Sequence, residues 1–370
     1  MYIIEHFYKK INCLTIKIIL NIIIKGSGSM KKVLVGISGG VDSSVSALLL
    51  KNEGYEVVGA TMDLLGENNK DAKEVCDKLD IKYVELDCKD LFSKCVINYF
   101  INEYKLSHTP NPCIECNKKL KFGYMYEYAK ENNIDYIATG HYAKVEYSDK
   151  YERYVLKKAD NREKDQSYFL YVIDKAVLPK LLFPLAKFKN KEEIRNIAKE
   201  NNLNVHSKSD SQDICFIKGG DYKKYLEENS NMDSTLGNVI LNGKVIGKHT
   251  GLYKYTIGQR KGLGVSYSVP LFVLGFNYAK NEVIVGEESE LYSKEIVVTD
   301  INLLLMDEIK ETIEVDVKTR YSSKVAKAQI SQNGNEIKVE FEEPQRAITP
   351  GQSAVFYIGD IVLGGGKIKC

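Results

Sequence analysis

The stretch Gly36-Ile-Ser-Gly-Gly-Val-Asp-Ser-Ser-Val45 has the composition of an anion site. A short apolar run, Val33 to Ile37, precedes it, and a segment with Val41, Val45, Leu48 and Leu49 on one helical face follows. A glycine turn between a buried strand and a helix leaves backbone N–H groups and the positive helix end facing a ligand. Gly39 and Gly40 let the backbone approach a phosphate closely. Ser38, Ser43 and Ser44 supply hydroxyls. Asp42 would repel phosphate unless it holds a cation or acts as a base. No Gly-Lys-Ser/Thr follows, so this is not a Walker A loop, and the glycine spacing is not that of a dinucleotide fingerprint. The plain alternative is a Gly/Ser turn that only caps a helix. The strand before and the helix after argue for the phosphate reading.

Sulfur is the second chemistry. Eight cysteines are spread thinly over 370 residues. That is not the dense pattern of a small secreted disulfide scaffold, and a reducing, cytoplasmic setting is expected. Cys113 and Cys116 make a Cys-x-x-Cys in a loop stiffened by Pro110 and Pro112. A helix is expected from about Asn117 to Glu131. Its N-terminus, with Lys118, Lys119 and Lys121, is expected to lower a thiol pKa enough to give thiolate at neutral pH. A structural zinc needs four ligands, and neither a second Cys-x-x-Cys nor a His-x-x-x-His exists, so no metal centre is expected. Cys88, Cys95 and His108 would complete one only by coincidence. An iron–sulfur cluster is equally under-supplied. Cys215, in Ser211-Gln-Asp-Ile-Cys-Phe216, reads by itself as packing beside Ile214 and Phe216.

These residues need elements to hold them. Strands are expected at Val33–Ile37, Glu56–Met62, Tyr83–Leu86 and Asp135–Thr139, and helices at Asp71–Leu79 and Lys89–Tyr104, with Gly54 as a helix stop. Their alternation predicts an α/β domain, a parallel sheet with helices on both faces and a ligand crevice at the strands' carboxyl ends. The pattern changes after about Ser207. From Gly237 on, short β-rich segments carry turn signals, with Asn242-Gly243 and Asn333-Gly334 as hairpin turns. The expected division is a nucleotide-binding domain over 30–212, a small central domain over 213–286 and a C-terminal β-barrel or sandwich over 287–370. Residues 1–29 read as a translated leader before a native start at Met30. Their apolar run, Ile11 to Ile24, falls short of the roughly 20 residues of a membrane helix, and no membrane partner is expected. A formal net charge of +2 gives no global basic signature, so any nucleic acid must be held by local patches.

The phosphate loop resembles that of the PP-loop ATP pyrophosphatases. Several further segments, in order, resemble the tRNA-specific 2-thiouridylase family from Met30 to the C-terminus. They are Asn111-Pro-x-x-x-Cys-Asn117, Ala138-Thr-Gly-His-Tyr-Ala143, Lys164-Asp-Gln-Ser-Tyr-Phe-Leu170, Gln212-Asp-Ile-Cys-Phe216 and Thr256-Ile-Gly-Gln-Arg-Lys-Gly-Leu-Gly264. The resemblance implies ATP with Mg²⁺, held by Gly36, Ile37, Ser38, Gly39, Gly40, Val41, Asp42, Ser43, Met62 and Gly140. It implies Cys116 as nucleophile and Cys215 as the persulfide-bearing cysteine, with Asp42 assisting at the phosphates. Cys113 is an extra thiol where some members have Asp, so Cys113–Cys116 and Cys113–Cys215 disulfides stand beside the pairing implied. The tRNA contacts implied are Asn111, Pro112, Cys113, His141, Lys164, Asp165, Gln166, Arg320, Tyr321 and Gln352. Partners would be tRNAs accepting glutamate, glutamine or lysine, and a cysteine desulfurase or sulfur-relay protein. A small-molecule amidating ligase, a 2-thiocytidine-forming enzyme and a non-catalytic tRNA-binding protein are the competing readings. The cysteine pair, the missing cluster cysteines and the intact phosphate loop argue against them in turn.

Overall fold

The computed structural model describes residues 30–66, 69–203, 205, 214–232 and 234–369. The leader expected over 1–29 and the Ser211–Asp213 part of the Cys215 motif lie outside them. The chain begins with β1 (Lys32–Gly36), α1 (Val41–Asn52), β2 (Glu56–Asp63), α2 (Lys70–Lys78) and β3 (Lys82–Asp87). Two long helical stretches follow, α3 (89–105) and α4 (112–131), then β4 (Tyr136–Ala138). A hairpin of β5 (Ala143–Ser148) and β6 (Arg153–Lys158) precedes β7 (Leu181–Leu182) and α5 (Lys191–Glu200).

A five-stranded parallel sheet has the order β3-β2-β1-β4-β7. Its central strand is buried on both faces: Val33 and Val35 join one core with Val41 and Val45, while Leu34 joins the other with Leu120 and Met125. That is why β1 reads as continuous rather than alternating apolar sequence. The strand order reverses at β1, with β2 on one side and β4 on the other. The loops leaving β1 and β4 therefore meet at the carboxyl ends of the strands.

The helix α4 starts at Pro112, not near Asn117 as expected. Asn111 caps it, accepting from the Cys113 N–H at 3.2 Å, and Pro112 occupies the first turn. Both features favour helix initiation. Cys113 and Cys116 thus lie inside the helix. Its next segment, Asn117–Tyr124, is wound as a π-helix. A Cβ on Gly123 would sit 2.8 Å from the Lys118 carbonyl oxygen, so the wider turn requires glycine there.

After α6 (Tyr222–Asn229), strands β8 (Gly237–Leu241), β9 (Lys244–His249), β10 (Phe272–Asn277) and β11 (Glu282–Gly286) form a four-stranded sheet ordered β10-β11-β8-β9. Asn242 and Gly243 turn the β8–β9 hairpin with φ of 50° and 77°, as expected of this pair. The last strands are β12 (Tyr292–Leu303), β13 (Ile313–Lys318), β14 (Ala326–Asn333), β15 (Glu336–Arg346), β16 (Ser353–Ile358) and β17 (Ile361–Ile368). They run β12-β15-β14-β13-β16-β17, and β12 pairing with β17 closes them into a barrel rather than a sandwich. Asn333 pairs with Glu336, so the β14–β15 turn is Gly334-Asn335, one position later than the sequence suggested. The β5–β6 hairpin leaves the first domain and joins the barrel sheet through Lys157 opposite Ile361. Among the described residues no helix is long and apolar enough to cross a membrane.

Gly→Ala inside an ordinary helix stabilises by roughly 0.5–1 kcal/mol. Gly123→Ala is expected to have the opposite sign and cost about 1–3 kcal/mol, because its methyl group meets backbone. Urea unfolding of the variant measures this; unchanged or increased stability would remove the requirement for glycine.

Candidate active site

The loop after β1 is shaped by its own hydrogen bonds. Ser43 Oγ accepts from the Ser38 N–H at 3.2 Å and lies 3.3 Å from Ser38 Oγ. Thr61 Oγ1 donates to the Ile37 carbonyl at 2.8 Å, tying the loop to β2. Gly39 has φ +72°, and a Cβ there would lie 2.8 Å from Asp71 Cβ. Gly40 precedes α1 with no side chain capping the helix, which leaves the first-turn amides directed to the crevice. The Ser43 and Ser44 hydroxyls both donate to the Gly40 carbonyl, at 3.1 and 2.8 Å, and both residues are buried, contrary to the expectation of free phosphate donors.

The exit of β4 presses against this loop. A Cβ on Gly140 would come within 2.8 Å of both Ser43 N and Asp42 C. Next along the chain, Tyr142 donates its hydroxyl to Asp42 Oδ1 at 2.8 Å. The other carboxylate oxygen accepts from Lys191 Nζ at 2.5 Å, and that ammonium also lies 5.8 Å from the Tyr142 ring centre. Lys191 opens α5, which Asn190 caps by accepting from the Glu193 N–H at 2.9 Å. The cation that Asp42 needs is therefore a lysine brought from far along the chain. Both Asp42 carboxylate oxygens thus have protein partners. Nothing local in the sequence marked Lys191. Met62 sits near the end of β2, opposite Leu86, half-buried against the core that also contains Cys116.

The thiols lie on the other side of the β4 exit. Cys116 is buried, whereas Cys113 and Cys215 are exposed, and all are free thiols. Cys215 is held by its neighbour. The Phe216 ring packs edge-on against Phe92, Phe100 and Tyr225, with centroids at 5.7, 5.3 and 5.3 Å. The packing expected of Cys215 thus belongs to Phe216. Although Cys215 is exposed as a residue, desolvation of its thiol by the surrounding chain pushes it up to about 11, and the proximity of Cys116 and then Cys113 adds to that. Burial likewise raises Cys116 and Cys113 against the pull of the Lys121 ammonium. The expected low thiol pKa is contradicted. Cys116 lies a turn inside α4, and desolvation outweighs the nearby lysine. Cys88, buried at the end of β3, is pushed up to about 12, chiefly by burial, with Asp87 and then Cys116 adding to it.

Lys121 also acts on His141, the residue after Gly140. Its imidazole contacts Phe122 and Phe183 at 5.7 and 6.3 Å, and Thr139 Oγ1 lies 2.8 Å from Nδ1. Burial, then Lys121, holds His141 well below the usual histidine range, so it is neutral at pH 7. Among the described residues no group of three or more His, Cys, Asp or Glu side chains is arranged to hold a metal ion.

The residues expected to touch tRNA separate into two groups. Tyr321 is exposed, packs against Phe169 with ring centres 4.5 Å apart and planes tilted by 38°, and has Lys318 Nζ 5.3 Å from its ring centre, which makes an accessible aromatic platform. Lys164 is half-buried beside Asn161, whose side chain accepts from the Lys164 N–H at 3.1 Å. The others turn inward. Asp165 is buried and accepts from the Ala159 N–H at 2.9 Å and the Ser167 hydroxyl at 2.7 Å. Gln166 Oε1 accepts from the Tyr142 N–H at 2.9 Å. Arg320 is no free phosphate grip. Its guanidinium donates to the Ala347 carbonyl at 3.0 Å, to the Ile257 carbonyl at 3.3 Å and to Thr349 Oγ1. Gln352 Nε2 donates to the Thr109 carbonyl at 2.6 Å. Asn111 and Pro112 build the start of α4.

Three family models cover nearly the whole described chain. They are a tRNA methyl transferase HUP domain over residues 31–219, a tRNA methyl transferase PRC-barrel domain over 223–287 and an aminomethyltransferase beta-barrel domain over 293–368. The relatives named tRNA-specific 2-thiouridylase MnmA from Acetivibrio thermocellus and Clostridium botulinum (strain Alaska E43 / Type E3) are 46% and 48% identical. Each alignment covers 92% of this chain, and 100% and 98% of those proteins. The corresponding protein of Clostridioides difficile is 43% identical over 355 residues. Among solved structures, a 4-thiouridine synthetase in an RNA complex with bound ATP aligns over 54% of this chain and 50% of that one. Its identity is 17% and its TM-score 0.37, too slight a likeness to build on. The chain belongs to the tRNA-specific 2-thiouridylase family, and its activity is tRNA-uridine sulfur transfer.

Two outcomes follow from this geometry. Gly140→Ala places a methyl group against the α1 amides and is expected to weaken ATP binding by at least about tenfold while the protein stays folded; calorimetry reads the first and circular dichroism the second. Because the Cys215 pKa is raised, the thiol is protonated at neutral pH and ionises as pH rises. Its alkylation by iodoacetamide should therefore speed up about tenfold per unit between pH 7 and 9. A rate already flat across that range would contradict the raised pKa of the thiol.

Proposed function

We propose that this enzyme converts the wobble uridine of tRNAs accepting glutamate, glutamine or lysine to 2-thiouridine, acting in the cytoplasm. The observation that carries this reading is the segment Thr139–Tyr142. It touches the phosphate loop through Gly140 and Tyr142, while His141 shares the field of Lys121 with all three exposed or reactive thiols. A nucleotide site and a dithiol site with one common wall suit activation and sulfur transfer on the same base.

In the first step uridine O2 attacks the α-phosphorus of ATP and pyrophosphate leaves. The α1 amides, that of Ser43 among them, and the Ser38 hydroxyl hold the phosphates, and Lys191 moves from Asp42 to the developing charge. Asp42, with Tyr142, orients that lysine. Magnesium is proposed to enter with ATP, bound to its phosphates. In the second step the terminal sulfur of a Cys215 persulfide attacks C2 and AMP leaves with the former O2. A persulfide ionises more readily than the parent thiol, which suits a pocket that keeps Cys215 protonated. Cys116 then attacks the Cys215 sulfur, the S–S bond breaks, and sulfur stays on C2 as the thione. The two cysteines end as a disulfide that an external reductant must cleave. A cysteine desulfurase or relay protein supplies the persulfide. Tyr321, with Phe169 and Lys318, offers a stacking surface for an unpaired base.

The test is sulfur incorporation into unmodified glutamate tRNA with ATP, Mg²⁺, cysteine and a cysteine desulfurase. Wild type is expected to form 2-thiouridine. Cys116→Ser and Cys215→Ser should form none, yet still release pyrophosphate with tRNA present. Lys191→Met should slow that release by roughly a hundredfold. Pyrophosphate release lost in Cys215→Ser, or untouched in Lys191→Met, would overturn the division of roles.

A further inference from the structure

The start of the cysteine helix is fastened to the C-terminal barrel. Glu115 lies in sequence between Cys113 and Cys116, and its carboxylate is 3.5 Å from Lys367 Nζ on β17. The same ammonium is 3.4 Å from Asp300 on β12 and 4.4 Å from the ring centre of Tyr99 on α3. Side-chain exposures of 12% for Glu115 and 23% for Lys367 set this pair apart from the solvated surface ion pairs. The barrel strand reaches this position because Gly364, Gly365 and Gly366 precede Lys367. A Cβ on Gly365 would lie 2.9 Å from the Tyr171 ring, and one on Gly366 would lie 2.4 Å from the Thr299 carbonyl oxygen. Just upstream of α4, the Thr109 N–H donates to the Pro350 carbonyl at 3.0 Å and its carbonyl accepts from Gln352. The barrel therefore holds the helix start by its backbone and by a charge.

We propose that Lys367, acting through Glu115, is a positioning residue for the sulfur-transfer step: the barrel holds the first turns of α4 so that Cys116 meets the sulfur on Cys215. Lys367 touches no reacting atom. Its contribution is the geometry of a thiol whose reaction tolerates little displacement. The inference rests on the reading that Cys116 resolves the Cys215 persulfide.

The experiment is single-turnover thiolation of glutamate tRNA by the full-length protein preloaded with persulfide. Variants Lys367→Met, Glu115→Gln, the double variant, Lys367→Arg and Cys116→Ser run alongside. Lys367→Met and Glu115→Gln should each slow thiolation by roughly ten- to a hundredfold. The double variant should be no slower than the worse single, because both remove one interaction. Lys367→Arg should restore most of the rate. In the Lys367 and Glu115 variants the tRNA concentration for half-maximal rate and the rate of pyrophosphate release should stay at wild-type values. Equal slowing of pyrophosphate release and thiolation, additive losses, or a wild-type rate in Lys367→Met would overturn the positioning role. Full thiolation by Cys116→Ser would instead overturn the reading beneath it, so the two failures are distinct.

Discussion

The close approach of Gly140 to the first turn of α1 is the contact on which the rest of the site depends. Backbone meets backbone there with no room for a side chain. It exists because the sheet reverses its order at β1, so the loops leaving β1 and β4 end at one crevice. Once Gly140 is seated, its neighbours have fixed places. Tyr142 reaches Asp42 on one side, and His141 packs on Phe122 and Phe183 on the other. Phe122 belongs to the same helix as Cys116. The nucleotide loop and the thiols are thus joined by the short segment Thr139–Tyr142, whose side chains and backbone pack on both.

Charge is handled differently at the two ends of that wall. At the phosphate loop, a carboxylate and an ammonium hold each other in place, partly shielded from water. Such a pair is costly to desolvate but easily repurposed when a polyanion arrives, since the lysine gains more from phosphate than from a single carboxylate. At the thiols, desolvation dominates, and Cys116 and Cys215 are protonated at neutral pH. A protonated thiol is a weak nucleophile. Reactivity then has to come with the sulfur itself, as a persulfide.

How much of this could be read in advance depended on how local the cause was. The phosphate loop was legible because strand, glycine turn and helix are contiguous in sequence. The hairpin at Asn242-Gly243 was legible for the same reason. The start of α4 carried two plain signals, a capping Asn111 and Pro112 in the first turn, yet the Cys-x-x-Cys suggested a loop. That error reversed the sign expected for the thiol pKa, since a helix terminus lowers it and a buried second turn does not. Lys191, Arg320 and Gln352 could not be placed by pattern. Each is a long polar side chain whose partners come from distant segments, and only the fold decides whether it faces phosphate or a carbonyl. The joining of the β5–β6 hairpin to the barrel is likewise invisible locally, because it rests on a single cross-strand register between Lys157 and Ile361.

The central claim is that sulfur passes from Cys215 to the base while Cys116 becomes its disulfide partner. The most direct measurement is a single turnover on tRNA by persulfide-loaded enzyme without reductant. The products are digested under non-reducing conditions and the disulfide-linked peptides are counted by mass spectrometry against 2-thiouridine formed. The account predicts one Cys116–Cys215 disulfide for each 2-thiouridine. Thiolation without that disulfide, or with Cys113 in place of Cys116, would contradict it.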